Sequence, residues 1–308
     1  MPPRVLALLF LLWLPGAQNG RAQSKSIAQR LGYPADAKLL IIHADDLAVA
    51  HSVDVASFAA LDTNAVTSAS IMVPCSWLTE VASYAKSHPD ADLGLHLTLT
   101  SEWKTYRWGP VGSTDKVSSL LALDGYLWPE TESAAKNIKP EEAEREIRAQ
   151  IDRAIALGIR PTHLDSHMGT LFASSQLFSV FVKLAHYYKL PFLAVKVTDE
   201  RSGLLALLSE KDIVLDSLVM ADPSVTLGTW EKFYASAIKN LKPGLTEIIV
   251  HLGHDDAELQ AVTFDHPEYG AAWRQRDFDV VTSSAFRKLL KENHVVLVRW
   301  RDLGKLRQ

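Results

Sequence analysis

The stretch Lys38-Leu39-Leu40-Ile41-Ile42-His43-Ala44-Asp45-Asp46 runs from a cation through an unbroken aliphatic segment into a histidine and two adjacent carboxylates. A short apolar run without alternation reads as a strand buried on both faces, as in a parallel sheet covered by helices. Ser68 to Val73, Leu93 to Leu99, Phe192 to Val197, Ile248 to Leu252 and Val295 to Trp300 read the same way. Helical stretches lie between them. From Pro140 to Leu157, Ile147, Ile151 and Ile155 recur at one-turn spacing. Pro140 suits a first turn, Glu141 and Glu142 suit the positive end of the helix dipole, and Gly158 is a stop. Ser174 to Lys189 and Thr229 to Leu241 are further helix candidates. Buried strands separated by helices predict an α/β fold with a mostly parallel sheet, open or closed into a barrel.

Two stretches break the alternation and read as long loops. One spans 101–139 and holds Trp103, Tyr106, Trp108, Tyr126 and Trp128; the other spans 255–279 and holds Phe264, His266, Tyr269 and Trp273. Loops of such length in a compact domain are functional or disordered, and the aromatics argue against disorder.

The 308 residues are 47% hydrophobic and 22% charged, which excludes a disordered chain and a polytopic membrane protein. A formal charge of -4 gives no basic excess for binding nucleic acid. Cys75 is the single cysteine, so an intrachain disulfide and a multi-cysteine metal site are excluded. At the start, Arg4 precedes an apolar run from Val5 to Leu14, Pro15-Gly16 breaks it, and Gly20-Arg21-Ala22 offers a small-residue cleavage site. These are the parts of a secretory signal peptide. The run is half the roughly 20 residues that span a bilayer, so no stable membrane insertion is expected. The expected organisation is a signal peptide over 1–22 and a single domain over 23–308, with export to the periplasm or beyond after cleavage near Ala22.

The ionisable residues gather at predicted strand ends, where ligands bind in α/β sheets and barrels. Asp45 and Asp46 repel each other unless a cation or proton neutralises one. On a regular strand they point to opposite faces; a bend lets both reach one site. A metal on one would keep its neighbour ionised and able to act as a base. The alternative is a helix N-cap. His96, within Gly94-Leu95-His96-Leu97-Thr98, reads alone as a satisfied buried histidine. In His163-Leu164-Asp165-Ser166-His167 the titratable residues alternate with strand period and share one face. Two histidines with one carboxylate are the facial set that leaves positions open on a transition metal. Asp165 could instead orient His167 from behind. His251 follows Ile248-Ile249-Val250 and could move a proton or steady a developing oxyanion. His254 reads as an exposed loop residue. His43, His51 and His88 read as structural, with His51 nearest Asp46 in sequence.

His43-Ala44-Asp45-Asp46-Leu47, Gly94-Leu95-His96-Leu97-Thr98-Leu99 and Thr162-His163-Leu164-Asp165-Ser166-His167 resemble, in order and spacing, the motifs of the YdjC-like carbohydrate deacetylases. That family includes chitooligosaccharide deacetylases and is distantly related to the polysaccharide deacetylases. The resemblance continues through Glu247 to His251 and Trp273 to Asp277, and covers about Lys38 to Leu303. It implies a distorted (β/α) TIM-like barrel and metal-dependent removal of acetyl from an N-acetylated mono- or oligosaccharide. Carried over by position, Asp46, His96 and His167 would bind one divalent metal ion, Zn or Mg first, with Mn or Co as further candidates. Asp45 would activate water, and His251 would assist collapse of the tetrahedral intermediate. Asp165, His163, Trp103, Trp108 and Arg274 would support the ligands or touch substrate. The sequence departs from the family where a Gly soon after the paired Asp is replaced by Ala48 and Val49. It departs again at Met168-Gly169 and at Leu252-Gly253-His254.

A carbohydrate deacetylase is therefore the leading expectation, with Trp and Tyr faces of the first loop available to stack on sugar rings. The same aromatics would serve equally as a small core beneath that loop. The alternatives are a secreted carbohydrate-binding protein on the same fold without activity, and a metal-dependent hydrolase of another bond. No phosphate-cradling Gly loop supports a phosphoester substrate. No nucleic-acid partner is expected, and a homo-oligomer remains open.

Overall fold

The structure, a computed structural model, describes residues 25–196 and 200–307. The signal peptide expected over 1–22 lies outside the described residues. Among the described residues no helix is long and apolar enough to cross a membrane.

The aliphatic run that opened the reading forms β1, Lys38–Leu47, and every residue from Leu39 onward is buried. It is followed by β2 (Ser68–Ile71), β3 (Leu93–Leu97), β4 (Leu164–Ser166), β5 (Ser217–Met220), β6 (Gly244–Val250) and β7 (Val295–Leu297). The sheet order is β4-β3-β2-β1-β6-β5, with β7 paired to the first half of β1, and every pairing is parallel. The sheet curls into a half-barrel surrounded by helices, an α/β fold consistent with the distorted TIM-like barrel expected. Between β4 and β5 the wall is completed, among the described residues, by isolated bridges, Leu164 to Phe192 and Val195 to Leu215. The strand expected over Phe192 to Val197 is thus reduced to single bridges, and its last residue lies outside the described set.

Parallel register converts sequence period into layers. His43 pairs with Ser68 and Ile249, Ser70 with Gly94, His96 with Asp165, and Ile41 with Glu247. Paired residues share a face, and that face is the barrel interior. Its lower layer is apolar: Leu39, Ile41, Leu193, Leu215, Leu245, Val298, Trp300 and Leu303 form one buried cluster. Above it lie His43, Ser70, His163 and Glu247, and above those Asp45, His96, Asp165, His167 and His251. The opposite face of the sheet packs on the helices in a second, larger core that includes Leu40, Ile42, Ile71, Leu95, Ile147, Ile151 and Ile248.

The helices expected from Pro140, Ser174 and Thr229 are present as Pro140–Ala156, Ser175–Tyr187 and Trp230–Lys239. Elsewhere the structure corrects the sequence reading. The stretch 255–279 is largely helical, as Ala257–Val262 and the first part of Ala271–Thr282. The stretch 101–139 contains a short turn at Ser118–Leu120 and the helix Thr131–Asn137. The last strand stops at Leu297, and Trp300 begins a helix while its indole turns inward to donate to Glu247 Oε2 at 2.7 Å.

Gly94 shows how tight the interior is. A Cβ there would lie 2.3 Å from His163 Cε1, so the absent side chain is the space the imidazole occupies. Gly94→Ala is expected to destabilise the protein by ~1–3 kcal/mol through overpacking. The double variant with His163→Ala should cost less than the sum of the two single changes. Urea unfolding of the four proteins checks this; additive losses would remove the steric explanation.

Candidate active site

Asp45 and Asp46 reach one place because β1 does not stay regular. Its register against β2 shifts between Ala44 and Leu47, and Asp46 and Ala48 adopt left-handed backbone angles, φ 70° and 76°. This is the bend that two neighbouring carboxylates require. The turn is held by the Ala48 N–H, which donates to the buried Asp54 Oδ1 at 2.6 Å, and by the Val49 N–H, which donates to the Asp46 carbonyl at 3.2 Å. Burial pushes the Asp54 carboxyl up to about 9.

Asp46 Oδ1 stands 3.4 Å from His96 Nε2 and 3.4 Å from His167 Nδ1. The three residues are buried, and their facing atoms all lie within 4.8 Å of one another. Asp46 Oδ1 accepts no hydrogen bond. Each imidazole is pinned by a carboxylate through its other nitrogen. His96 Nδ1 pairs with Asp165 Oδ1 at 2.7 Å, and His167 Nε2 with Glu102 Oε2 at 2.9 Å. With N–H donated to those carboxylates, the lone pairs of His96 Nε2 and His167 Nδ1 turn toward Asp46. Donors 2.0–2.2 Å from a common ion stand roughly 3–3.5 Å apart, so this set fits a divalent metal.

The charges agree with that fit. Arg274 Nη2 donates to Asp46 Oδ2 at 2.7 Å and is the permanent cation touching the cluster. Burial disfavours an ionised Asp46, but Arg274 outweighs it and, with His167, holds the carboxyl well below its usual range. Burial likewise opposes a charged His167, yet Glu102 and Asp46 raise it to about 10. His96 is raised against burial by Asp45, Asp165 and Asp46. Without a metal, protons on imidazole therefore supply the positive charge that these carboxylates demand.

Asp45 sits beside this set, 3.8 Å from His96 Nε2 through Oδ2. Its Oδ1 is held by His43 Nε2 at 3.1 Å and by the Ser70 hydroxyl at 3.3 Å. His43 Nε2 also contacts Asp165 Oδ2 at 3.0 Å. The sequence reading left His43 as structural, but it ties the second carboxylate to the carboxylate that orients His96. His163 lies one layer deeper, stacked on Trp300 at 5.2 Å and edge-on to His43 at 5.0 Å, and reaches neither Asp46 nor the cavity.

His251 enters from β6. Its Nε2 is 3.9 Å from both Asp45 Oδ2 and Asp46 Oδ2, its ring packs on Tyr269, and its backbone N–H donates to Asp277 Oδ2. Burial, then Arg274 and His96, push the imidazole down to about 4 despite the aspartates, so it is neutral at pH 7. Arg274 and Asp277 come from the helix Ala271–Thr282, the segment in which the sequence had suggested a loop.

Asp45, Asp46, His96, His167, His251 and Arg274 share one cavity of about 1040 Å3. Trp103 and Trp108 do not line it. They are buried, packed edge-on to each other at 5.7 Å, with Arg274 over Trp103 and Trp108 beside His167. They form the small core beneath the loop and brace the site from behind, in place of the sugar-stacking platform considered above. His51 pairs with Glu80 at the surface, and His254 is half-buried against Phe278; neither reaches the cluster. Glu102, also missed, was hidden in a loop without periodicity.

A parallel barrel with titratable residues gathered at the carboxyl ends of its strands defines an α/β protein whose site lies at one rim. The YdjC-like protein family model matches residues 39–292, and the chain belongs to that family. It is 29% identical over 278 residues to a carbohydrate deacetylase of Thermus thermophilus, covering 87% of this chain and 95% of that one. It is 23% identical to a chitooligosaccharide deacetylase of Yersinia enterocolitica, covering 83% and 95%. Among solved structures, a proposed cellobiose-phosphate cleavage protein of Enterococcus faecalis superposes with a TM-score of 0.74 at 25% identity, covering 87% of this chain and 99% of that one.

A metal ion held by Asp46, His96 and His167 would have to displace protons. With His167 raised to about 10, affinity for added Zn2+ should climb with pH from 6 to 9, by up to about tenfold per unit from this group alone. Glu102→Gln should weaken binding ~10–100-fold. Equilibrium dialysis across that range checks both; a flat pH response would exclude His167 as a ligand.

Proposed function

We propose that the chain is a metal-dependent carbohydrate deacetylase that removes acetyl from an N-acetylated saccharide. One observation carries this reading. The uncommitted Asp46 oxygen faces two imidazole nitrogens whose other nitrogens are pinned by carboxylates, with Asp45 and a neutral His251 beside them. The names of the relatives supply the substrate class. The apolar run and small-residue site before Gln23 support export to the periplasm or beyond, with residues 23–308 as a single domain.

Asp46, His96 and His167 would hold the metal. Zn and Mg are the first candidates for this oxygen and nitrogen donor set, with Mn and Co next. A divalent ion there supplies Lewis acidity toward the amide carbonyl and makes water more acidic. The chain's own residues do the rest. Asp45, its Oδ1 fixed by His43 and Ser70, presents Oδ2 to the cavity as the base that takes a proton from the attacking water. His251, neutral at rest with its proton on Nδ1, turns an unprotonated Nε2 toward the two aspartates. Its Nε2 lies 3.9 Å from Asp45 Oδ2, so the proton taken by Asp45 can pass through it to the departing nitrogen. Arg274 fixes Asp46 so that its other oxygen stays directed at the two histidines. Trp108 and Trp103 keep water from the back of His167 and Arg274.

Acetate release from N,N'-diacetylchitobiose tests the reading. Asp46→Ala and His167→Ala should abolish both turnover and metal binding with the fold retained. Asp45→Asn should keep the metal and lose ~10²–10⁴-fold in kcat. Turnover unchanged in Asp46→Ala and His167→Ala would sink the assignment. Release of phosphate or reducing ends in place of acetate would redirect it to another bond.

A further inference from the structure

Leu218 and Met220 occupy β5, opposite Glu247 and Ile249 of β6. Both β6 residues point into the barrel, Glu247 toward Trp300 and Ile249 onto the cavity. Leu218 and Met220 therefore face the interior as well. Interior apolar residues on neighbouring strands are sealed: Ile41 and Leu245 have no exposure, and Ile249 has 7%. Leu218 and Met220 are 38% and 39% exposed, so no described side chain covers them. The gap follows from topology. Among the described residues between β4 and β5 the chain makes isolated bridges, Leu164 to Phe192 and Val195 to Leu215, with no regular strand. The opening is walled by Phe172, Phe178, Leu193, Val195, Leu218 and Met220, and it is continuous with the cavity that holds Asp46, His96 and His167.

Lys196, Asp216 and Ser217 also line the cavity, but the side chains of those six wall residues offer dispersion contacts and no hydrogen-bonding groups. Sugar hydroxyls placed there would give up water without replacement. Lys196 and Asp216, described residues that line the cavity beside β5, are committed to each other. The whole cavity, about 1040 Å3, is at the upper end of the ~300–1,000 Å3 of pockets for drug-sized ligands and leaves room beyond one amino sugar.

We propose that the substrate is an N-acylated amino sugar carrying an alkyl chain, bound with its amide at the candidate metal centre and its chain in the slot between β4 and β5. The inference rests on the deacetylase reading and narrows its substrate class. The chain can arrive as the aglycone of an N-acetylated glycoside or as a longer acyl group on nitrogen, and the substrates below separate the two.

kcat/KM is measured for the methyl and octyl glycosides of N-acetylglucosamine, and for N-acetyl against N-octanoyl glucosamine, all below their micellar concentrations. One pair should favour the octyl-bearing compound at least ~10-fold, given the apolar area an alkyl chain buries. Leu218→Ser and Met220→Ser should bring that ratio close to one; both positions are exposed enough to tolerate the change. Calorimetric binding of the same compounds to Asp45→Asn reads the slot without turnover. Acetate from chitobiose with ratios near one in both pairs would overturn the slot and leave the deacetylase reading standing. No product from any amide, with the octyl preference retained in binding, would overturn the deacetylase reading and leave the slot.

Discussion

Asp165 is the constraint on which the site is built. One oxygen meets His96 Nδ1 at 2.7 Å and the other meets His43 Nε2 at 3.0 Å, with the residue buried in the barrel interior. Burial alone would favour its neutral form, but the two imidazoles hold it far below the usual carboxylate range. A buried charge of this kind is tolerated only when its partners are geometrically fixed. Here the fixing is done by strand register, because His96 and Asp165 are paired neighbours across β3 and β4, while His43 comes from β1. Moving any strand by one residue would turn its partner to the helix side and leave the carboxylate alone.

From that anchor the polarity of the barrel follows. The lower interior is apolar and stabilises the fold through burial, so the polar layers above it do not have to. Glu247, pushed up to about 8 mainly by its burial, sits at the boundary and is satisfied by the Trp300 indole N–H. Above it each carboxylate has an imidazole or guanidinium against it, and Asp46 Oδ1, buried without a hydrogen bond, faces two histidines. Electrostatic demand is therefore concentrated at a single point on the rim.

Much of this could be read from the chain. The strand period in His163, Asp165 and His167 correctly placed them on one face, and the apolar runs located β1, β2, β3 and β6. What stayed hidden had physical causes. β5 is only Ser217–Met220 and largely exposed, so its apolar run is too short to stand out as a strand. The helix that supplies Arg274 and Asp277 buries charged residues, which blurs its apolar stripe and made it look like a loop. His43 looked ordinary because a lone histidine in an apolar strand carries no signal until its partners are known, and those partners lie on other strands. Glu102 sits in irregular chain, where no periodicity points to any side chain. The aromatics at Trp103 and Trp108 showed that the loop was ordered, but composition could not say whether their faces turned to solvent or inward.

Two consecutive carboxylates can share one cavity only if the backbone between strand and helix gives way. In this chain the distortion falls on Asp46 and Ala48, both left-handed, a conformation that costs an L-residue roughly 1–2 kcal/mol. At position 48 a glycine would remove that cost but would also lose a fully buried methyl group that packs in the larger core. At position 46 it could not, because the carboxylate is the functional group. The strain at Asp46 is thus inseparable from its role. It is held by the ion pair to Arg274 on one side and by the hydrogen bond from Ala48 to Asp54 on the other. With alanine at 48, these two contacts hold the turn without glycine's freedom. That is how over-determined local structure keeps a strained residue at a working site.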